Sequence, residues 1–573
     1  MAARHGSAHI SPDCRGTNFW RTDPSLRALL GLYLDGPTLA HLEPHYDAFG
    51  EVAGGRLDEL AEAADKNPPV LHARDRFGRD EDWIAYHPAY REMERIAFGD
   101  LGLHRIGHRP GGFGLDRPVP PLAKYAFTYL FTQAEFGIMC PVSLSDTAAY
   151  VVDRYGSPAL KNYLLPRMLN ADVHDLWKGT QFMTEKSGGS DVGILESTAE
   201  HVGLDEDGLD VWKLTGDKWF CSHTDADVAL VLARPAGKGP GTRNLALFAM
   251  PRRLKDGSRN AYRIARLKDK LGTRSMASGE ILLNGATAYL VGDEDAGFKQ
   301  MMQQVNQSRL SNAVRSAAMM RRSWNEALTV ARHRISFGGP LVDKPLMRRQ
   351  LMKILVPTEQ ALSAICWTAS LMERADADPD AAALLRLLTP LLKYRVCRDA
   401  VRVAAGGMEV RGGNGYIADW VHARLYRDAE LGTIWEGTSS VTALDVIGRA
   451  VGRQGCERPL AAALHAMAAE VPGPYGDTLS TLIDQVTAMV GAVGEEEYRS
   501  AAGALYHVIT AVLLASEGAR LGDGRRVLLS RLVVAERLTA QDPLNPPDRT
   551  WQAPVVSALL DDAPVPLESA LPA

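Results

Sequence analysis

Residues 226–233, Ala-Asp-Val-Ala-Leu-Val-Leu-Ala, break the pattern of the chain before them. Up to about residue 176, apolar residues recur at three- and four-residue spacing, as in 122–136 and 145–169. The Leu/Ala/Glu-rich stretch 57–66 belongs with these, and Pro/Gly-rich pieces such as 110–121 separate them. That is helical periodicity with loop punctuation. From about residue 178 the runs shorten and fill with β-formers: 211–214, 226–233, 244–250, 261–266 and 280–290. Turns such as Thr215-Gly216-Asp217 divide them. Five or more short strands in one stretch predict a small β-barrel or sandwich.

Helical spacing returns in 298–333, where Val305, Ala313, Val314, Ala317, Trp324, Ala327, Leu328 and Ala331 are expected on buried faces. Runs 346–375 and 381–405 follow, and Pro357 and Pro390 are expected to kink or split them. Three long neighbours with short connections predict an antiparallel bundle. The last segment is helical by pattern to about residue 540 and Pro-rich after it. The expected class is α+β, in four parts. These are an N-terminal α-helical domain (1–177), a central small β-barrel or sandwich domain (178–292), a C-terminal α-helical bundle (293–450) and an extra helical C-terminal segment (451–573).

With 573 residues, three or four domains are expected at roughly 150 residues each. Hydrophobic residues at 46% and charged residues at 23% are ordinary globular values, which exclude a disordered tail, a coiled coil or a collagen-like chain. Lys and Arg number 64 against 69 Asp and Glu, a net charge of −5. No global basic field exists for nucleic acid or an acidic membrane. Six cysteines lie far apart, with no CxxC pair and no Cys/His ligand spacing, so neither a metal site nor a disulfide framework is expected. The opening twenty residues lack an apolar signal-peptide core, and no run of 18 apolar residues occurs. The expectation is a soluble cytoplasmic protein with no membrane span.

Four stretches carry possible chemistry. Met183-Thr184-Glu185-Lys186-Ser187-Gly188-Gly189-Ser190-Asp191 offers small residues and hydroxyls that let backbone N–H groups approach a phosphate or polar ring edge, although it also fits a solvated turn. Lys218-Trp219-Phe220-Cys221-Ser222-His223 sets an aromatic beside a hydroxyl at a strand end, suited to stacking on a flat cofactor or simply to a core strand. Arg334-Ile335-Ser336-Phe337-Gly338-Gly339-Pro340 ends a long helix and is explained by helix termination alone. Met408-Glu409-Val410-Arg411-Gly412-Gly413-Asn414-Gly415-Tyr416 leads to Leu425-Tyr426-Arg427-Asp428 and then Thr433-Ile434-Trp435-Glu436-Gly437-Thr438-Ser439-Ser440. Glu436, between a Trp and a Gly, could be a base in an apolar pocket, or an acidic residue complementing a helix N-terminus.

In this order and on this α–β–α plan, the stretches resemble the acyl-CoA dehydrogenase flavoprotein family over roughly residues 50–450. Asn67-Pro68-Pro69, Cys140-Pro141, Met183–Lys186, 266–272 and Pro345-Leu346-Met347-Arg348 look like its alkylation-response (AidB-type) branch, as does the extra C-terminal segment. The resemblance implies bound FAD. Phe182, Met183, Thr184, Gly189 and Ser190 are implied flavin contacts, with Phe220 where the family has a stacking Trp, Ser222 where it has a Thr near the flavin, and Cys221 between them. Gly413, Ile434, Trp435, Gly437, Thr438 and Ser440 are implied to border the cofactor. Arg334 and Phe337 match residues that reach the FAD of a neighbouring subunit, which implies a homodimer or homotetramer. Glu436 matches the commonest position of the catalytic base, and Ser308 stands where some members place theirs. Arg309, on the first bundle helix, is expected near the substrate or else as a solvent-exposed helix residue.

Some positions depart from the family. Pro345 stands where Gln is common, Asn306 replaces an Asp near bound thioester, and Glu409 replaces a Gln and is expected to point away from phosphate or pair with an Arg. The implied reaction is dehydrogenation of an acyl thioester between Cα and Cβ. The alternatives are an AidB-like flavoprotein that binds DNA and protects it from alkylation, and an FAD enzyme acting on a carrier-bound or non-CoA metabolite. In the last segment nine arginines face fifteen Asp and Glu, a charge of −6, which weakens the DNA reading. Arg321, Arg322, Arg348 and Arg349 are the remaining candidates for a basic groove, or a solvated helix face.

Overall fold

The structure is a computed structural model that describes residues 10–545, 547–561 and 563–572. The start of the N-terminal stretch and Pro546 of the Pro-rich tail lie outside the described residues. The chain packs as two compact units. By packing, the N-terminal helical segment is shared: residues up to 55 and 121–133 belong with 312–573, whereas 56–120 and 134–177 belong with the strands.

The second unit, residues 56–120 and 134–311, holds nine strands. A hairpin, β1 (Val70–Arg74) and β2 (Asp80–Ala85), lies within the stretch expected to be helical. Then come β3 (Gly179–Phe182), β4 (Thr198–Leu204), β5 (Asp210–Ser222), β6 (Val228–Pro235), β7 (Ala246–Pro251), β8 (Tyr262–Leu267) and β9 (Ser278–Leu290). β6 pairs with β4, β4 with β5, β5 with β9, β9 with β7, and β7 returns to β6. The ring is closed, so the expected small barrel forms and its central strands have no open edge. β3 adds in parallel to β6, and β8 adds to β9.

The run 226–233 is apolar throughout because β6 is buried on both faces. Ala229, Val231 and Ala233 face the barrel core with Phe248 and Ile281. Val228, Leu230 and Leu232 pack with residues of the helices Met139–Tyr155 and Pro158–Met168, including Ala148, Val152 and Leu164. Strand alternation assigns each side chain to its face.

The first unit is helical. The Pro345–Leu371 and Pro379–Arg411 helices run through Pro357 and Pro390, so neither splits as the prolines suggested. The C-terminal segment is part of this unit's core. Helix Tyr498–Leu521 is buried along most of its length, followed by Gly524–Val533. Short helices Gln552–Leu560 and Leu567–Ala570 continue structure into the Pro-rich tail. Among the described residues one stretch, Glu495–Leu521, is long and apolar enough to cross a membrane, and nearly all of its apolar window is buried inside the protein, as in a core helix.

A buried ion network ties these helices together. Arg526 donates to Glu517 Oε2 at 2.5 Å, and it lies 3.5 Å from Glu359 Oε2. Arg321 bridges Glu359 at 2.5 Å and Asp23 at 2.9 Å. Burial pushes the Glu359 carboxyl up, but the Arg321 and Arg526 guanidiniums outweigh it and hold the group below its usual range. Arg321 and Arg322 are therefore not a solvated face. Arg322 donates to Glu326 at 3.0 Å, and both are almost fully buried.

Candidate functional site

In the barrel unit, the Gly-rich loop leaves β3 and is fastened by its acidic member. Glu185 accepts from Lys218 Nζ at 2.6 Å and from the amides of Glu196 and Ser197 at 2.7 and 3.2 Å. Burial pushes this carboxyl up, and Lys218 more than offsets it. Thr184 is pinned through its carbonyl, which accepts from Trp219 N at 2.8 Å. Gly189 crosses so near Thr184 that an added Cβ would lie 2.8 Å from its Oγ1. Thr184 and Gly189 are half-buried, Met183 packs partly against the helical side of the barrel, and Ser190 is exposed. The loop is a shallow shelf of hydroxyls beside β5.

At the end of β5, alternation separates the expected cofactor contacts. The Phe220 ring is 58% exposed, and Ser222 is half-buried. Cys221 points the other way into the barrel core, fully buried, where desolvation pushes its thiol up. Phe182 is likewise a core residue, at 1% exposure. Both side chains lie in the barrel core, so a cofactor contact at Cys221 or Phe182 would be made by the backbone. Lys268 Nζ lies 3.5 Å from the Trp219 centroid and 4.7 Å from that of Phe220. Arg309 is buried, not solvent-exposed, and donates to Asn306 Oδ1 at 3.3 Å.

In the helical unit, Glu436 sits on the turn between helix Val421–Gly432 and short helix Ser439–Ala443. Its backbone has φ 57° and that of Gly437 φ 106°. A non-glycine residue in this left-handed region costs about 1–2 kcal/mol and has to be held there. Lys393, on Pro379–Arg411, does the holding. Its Nζ donates to the carbonyls of Gly432 at 2.6 Å and Gly437 at 3.2 Å, one on each side of Glu436. Lys393 is 2% exposed. The fully buried Arg315 lies 5.1 Å from the Trp435 centroid. Burial raises the nearby Cys397 thiol, and Glu436 adds to the rise. Ile434 is 60% exposed, Thr438 and Ser440 are exposed, and Ser439 Oγ accepts from Arg398 at 3.0 Å.

Elsewhere in this unit, β10 (Ile335–Ser336) and β11 (Gly339–Pro340) form a tight hairpin with Phe337 at its tip, φ 52° and 92% exposed. An Arg334 Nη1 atom lies 3.5 Å from where a Cβ on Gly412 would be, so Arg334 meets the start of the Gly412-Gly413 turn. Gly413 itself borders open space. Among the described residues, Glu409 has no arginine within ion-pair distance. It accepts from Gln350 Nε2 at 3.2 Å. All six cysteines are free and buried, and among the described residues no cluster of three or more His, Cys, Asp or Glu could hold a metal.

The chain was compared with known proteins. Residues 10–175 match the family described as Adaptive response protein AidB N-terminal domain. Residues 180–286 match Acyl-CoA dehydrogenase, middle domain, and 295–452 match Acyl-CoA dehydrogenase, C-terminal domain. Acyl-CoA dehydrogenase family member 11 of Caenorhabditis elegans is 32% identical over 441 residues, covering 75% of this chain and 70% of that protein. Putative acyl-CoA dehydrogenase AidB of Escherichia coli strain K12 is 34% identical over 401 residues, covering 68% and 70%. The crystal structure of C. elegans ACDH-11 in complex with C11-CoA superposes with a TM-score of 0.84 at 26% identity, covering 96% of this chain and 97% of that one.

Proposed function

We propose, for a chain that belongs to the acyl-CoA dehydrogenase family, that it is an FAD-dependent oxidoreductase that dehydrogenates an acyl thioester, with Glu436 as the base. The observation that carries the assignment of the base is the clamped turn. A carboxylate is held on a left-handed backbone, between two carbonyls fixed by one buried ammonium. A base must be held in position before it can act, and the clamp on this turn supports that role for Glu436.

The residues present fit the cofactor. The Gly188-Gly189 shelf, crowded only by the Thr184 hydroxyl, leaves room for a polar ring edge or phosphate. The exposed Phe220 face offers a flat apolar surface. Thr184, Ser190, Phe220 and Ser222 would hold FAD, and the family resemblance assigns Trp435, Gly437, Thr438 and Ser440 to the same cofactor. Arg334 and Phe337 would serve the cofactor of a neighbouring subunit, in a homodimer or homotetramer, and Gly413 would border the cofactor. FAD supplies the two-electron acceptor for the hydride that leaves Cβ. Glu436 takes the α-proton. Arg309 would contact the thioester. Six buried free thiols suit a reducing cytoplasm.

The test is Glu436→Gln. The variant should purify yellow, with the flavin band near about 450 nm intact, and should lose thioester-driven flavin bleaching by roughly 100-fold or more. Undiminished bleaching would move the base elsewhere, and a colourless protein after FAD supplementation would remove the flavoenzyme reading.

A further inference from the structure

Within the helical unit lies a cavity of about 510 Å³ that the proposed reaction does not use. It opens between the first three turns of helix Pro345–Leu371 and the Gln552–Leu560 helix of the tail. Its volume falls within the range of small-molecule pockets. It lies on the opposite side of Pro345–Leu371 from Gln350 and Ile354, which meet Gly406 of the next helix.

Two kinds of side chain converge on it. Met352, Val356, Leu532 and Pro554 supply an apolar wall, of which Met352, Val356 and Leu532 are buried. Arg348, Arg349, Lys353, Arg537 and Arg549 supply five cations against the carboxylates of Asp343 and Glu536. Glu536 is already engaged, 3.6 Å from Arg349 and 4.0 Å from Arg549, and it accepts from Gln552 at 3.2 Å. Arg348 is fixed to the wall by donating to Ser557 Oγ at 2.6 Å. Among the described residues, Arg348 and Lys353 have no carboxylate within ion-pair distance. The cavity therefore carries a surplus of positive charge in a chain whose net charge is −5.

We propose that this cavity binds an amphipathic anion, with an apolar chain laid along Met352, Val356 and Leu532 and a carboxylate or phosphate head on Arg348 and Lys353. Guanidinium and ammonium groups favour such a head, and an apolar wall beside them favours a chain over a bare ion. A nucleic-acid backbone offers no chain to fill the wall.

Isothermal titration of the FAD-loaded protein with decanoate, decyl phosphate, decanol and inorganic phosphate separates the contributions. At least one chain anion should bind about tenfold or more tighter than both decanol and phosphate. The tighter of decanoate and decyl phosphate identifies the head group. Val356→Trp should abolish that binding by filling the wall, and Arg348→Gln/Lys353→Gln should weaken it about tenfold. Thioester-driven flavin bleaching should be unchanged in both variants. The proposal is overturned if no chain anion binds or if decanol binds as well as the anions. It also fails if binding survives both variants, including the case where acyl-CoA displaces it and so places it at the catalytic site. Binding of duplex DNA without any chain anion would overturn it too.

Discussion

Replacing Lys393 with methionine keeps the stem and removes only the ammonium. Two hydrogen bonds disappear, at 2.6 and 3.2 Å, and the carbonyls of Gly432 and Gly437 lose their shared donor. A hydrogen bond from a charged donor contributes about 1.5–3 kcal/mol, and a buried acceptor left unmatched costs about 1–3 kcal/mol. The turn can recover about 1–2 kcal/mol of this by letting Glu436 leave the left-handed region. The net cost is about 2–4 kcal/mol, and it falls on the turn from Gly432 to Gly437 that carries Glu436. That relaxation moves the carboxylate, and a displacement of about 1 Å can cost about 100-fold in rate. Lys393→Met should therefore lower the rate of flavin reduction by roughly 10- to 100-fold while KM for the thioester changes little. Stopped-flow bleaching gives the rate, and absorbance and a thermal melt report cofactor content and folding. Lys393→Arg keeps a charged donor and should recover part of the rate. A folded, FAD-replete Lys393→Met that bleaches at the parent rate would refute the reasoning. A rate that falls only in step with cofactor content would refute it as well, because Lys393 would then support folding and not the base.

Arg526→Met should cost about 3–5 kcal/mol, because Glu517 is left buried without its 2.5 Å partner. Denaturant unfolding measures it, a second change Glu517→Gln should restore part of the loss, and a cost below about 1 kcal/mol would contradict the network's role. Acid should destabilise the protein earlier than carboxylate protonation would. Burial pushes His104 and His223 down to about 4 and His422 to about 3, from 6.5. The folded state keeps these rings neutral while the unfolded chain takes up protons, so stability is full above about pH 6.5 and falls as pH drops towards 4. The slope is up to about 1.4 kcal/mol per pH unit for each ring. A flat unfolding free energy between pH 6.5 and 4.5 would exclude this. Duplex DNA should bind weakly at about 150 mM salt, because Arg321, Arg322 and Arg526 are committed to buried carboxylates. Sub-micromolar anisotropy binding with a steep salt slope would overturn that expectation.

The sequence disclosed whatever depends on neighbouring residues and concealed whatever depends on distant ones. The barrel was legible because strands and turns are local, and strand parity alone would have separated Phe220 and Ser222 from Cys221, since adjacent residues of one strand point to opposite faces. Hairpin β1–β2 and strand β4 escaped because their residues are mostly exposed or half-exposed, which leaves no apolar run to mark them. Lys393 lies in a helix among Leu391, Leu392 and Tyr394, and its carbonyl partners are 39 and 44 residues on. No spacing rule links a lysine to carbonyls at that distance. The arginines misled for the same reason. Arg321 and Arg322 look like a solvated pair, yet Arg321 meets Asp23, from near the start of the chain, and only the packing that buries Arg322 with its near neighbour Glu326 takes that pair out of solvent. A buried cation is affordable only where the fold delivers its partner, so burial of charge is a property of the tertiary structure, and local sequence reports only its possibility. The turn that carries Glu436 combines both cases. Its Trp435-Glu436-Gly437 sequence marks a candidate base, whereas the residue that holds the turn in place is found only once the helices have packed.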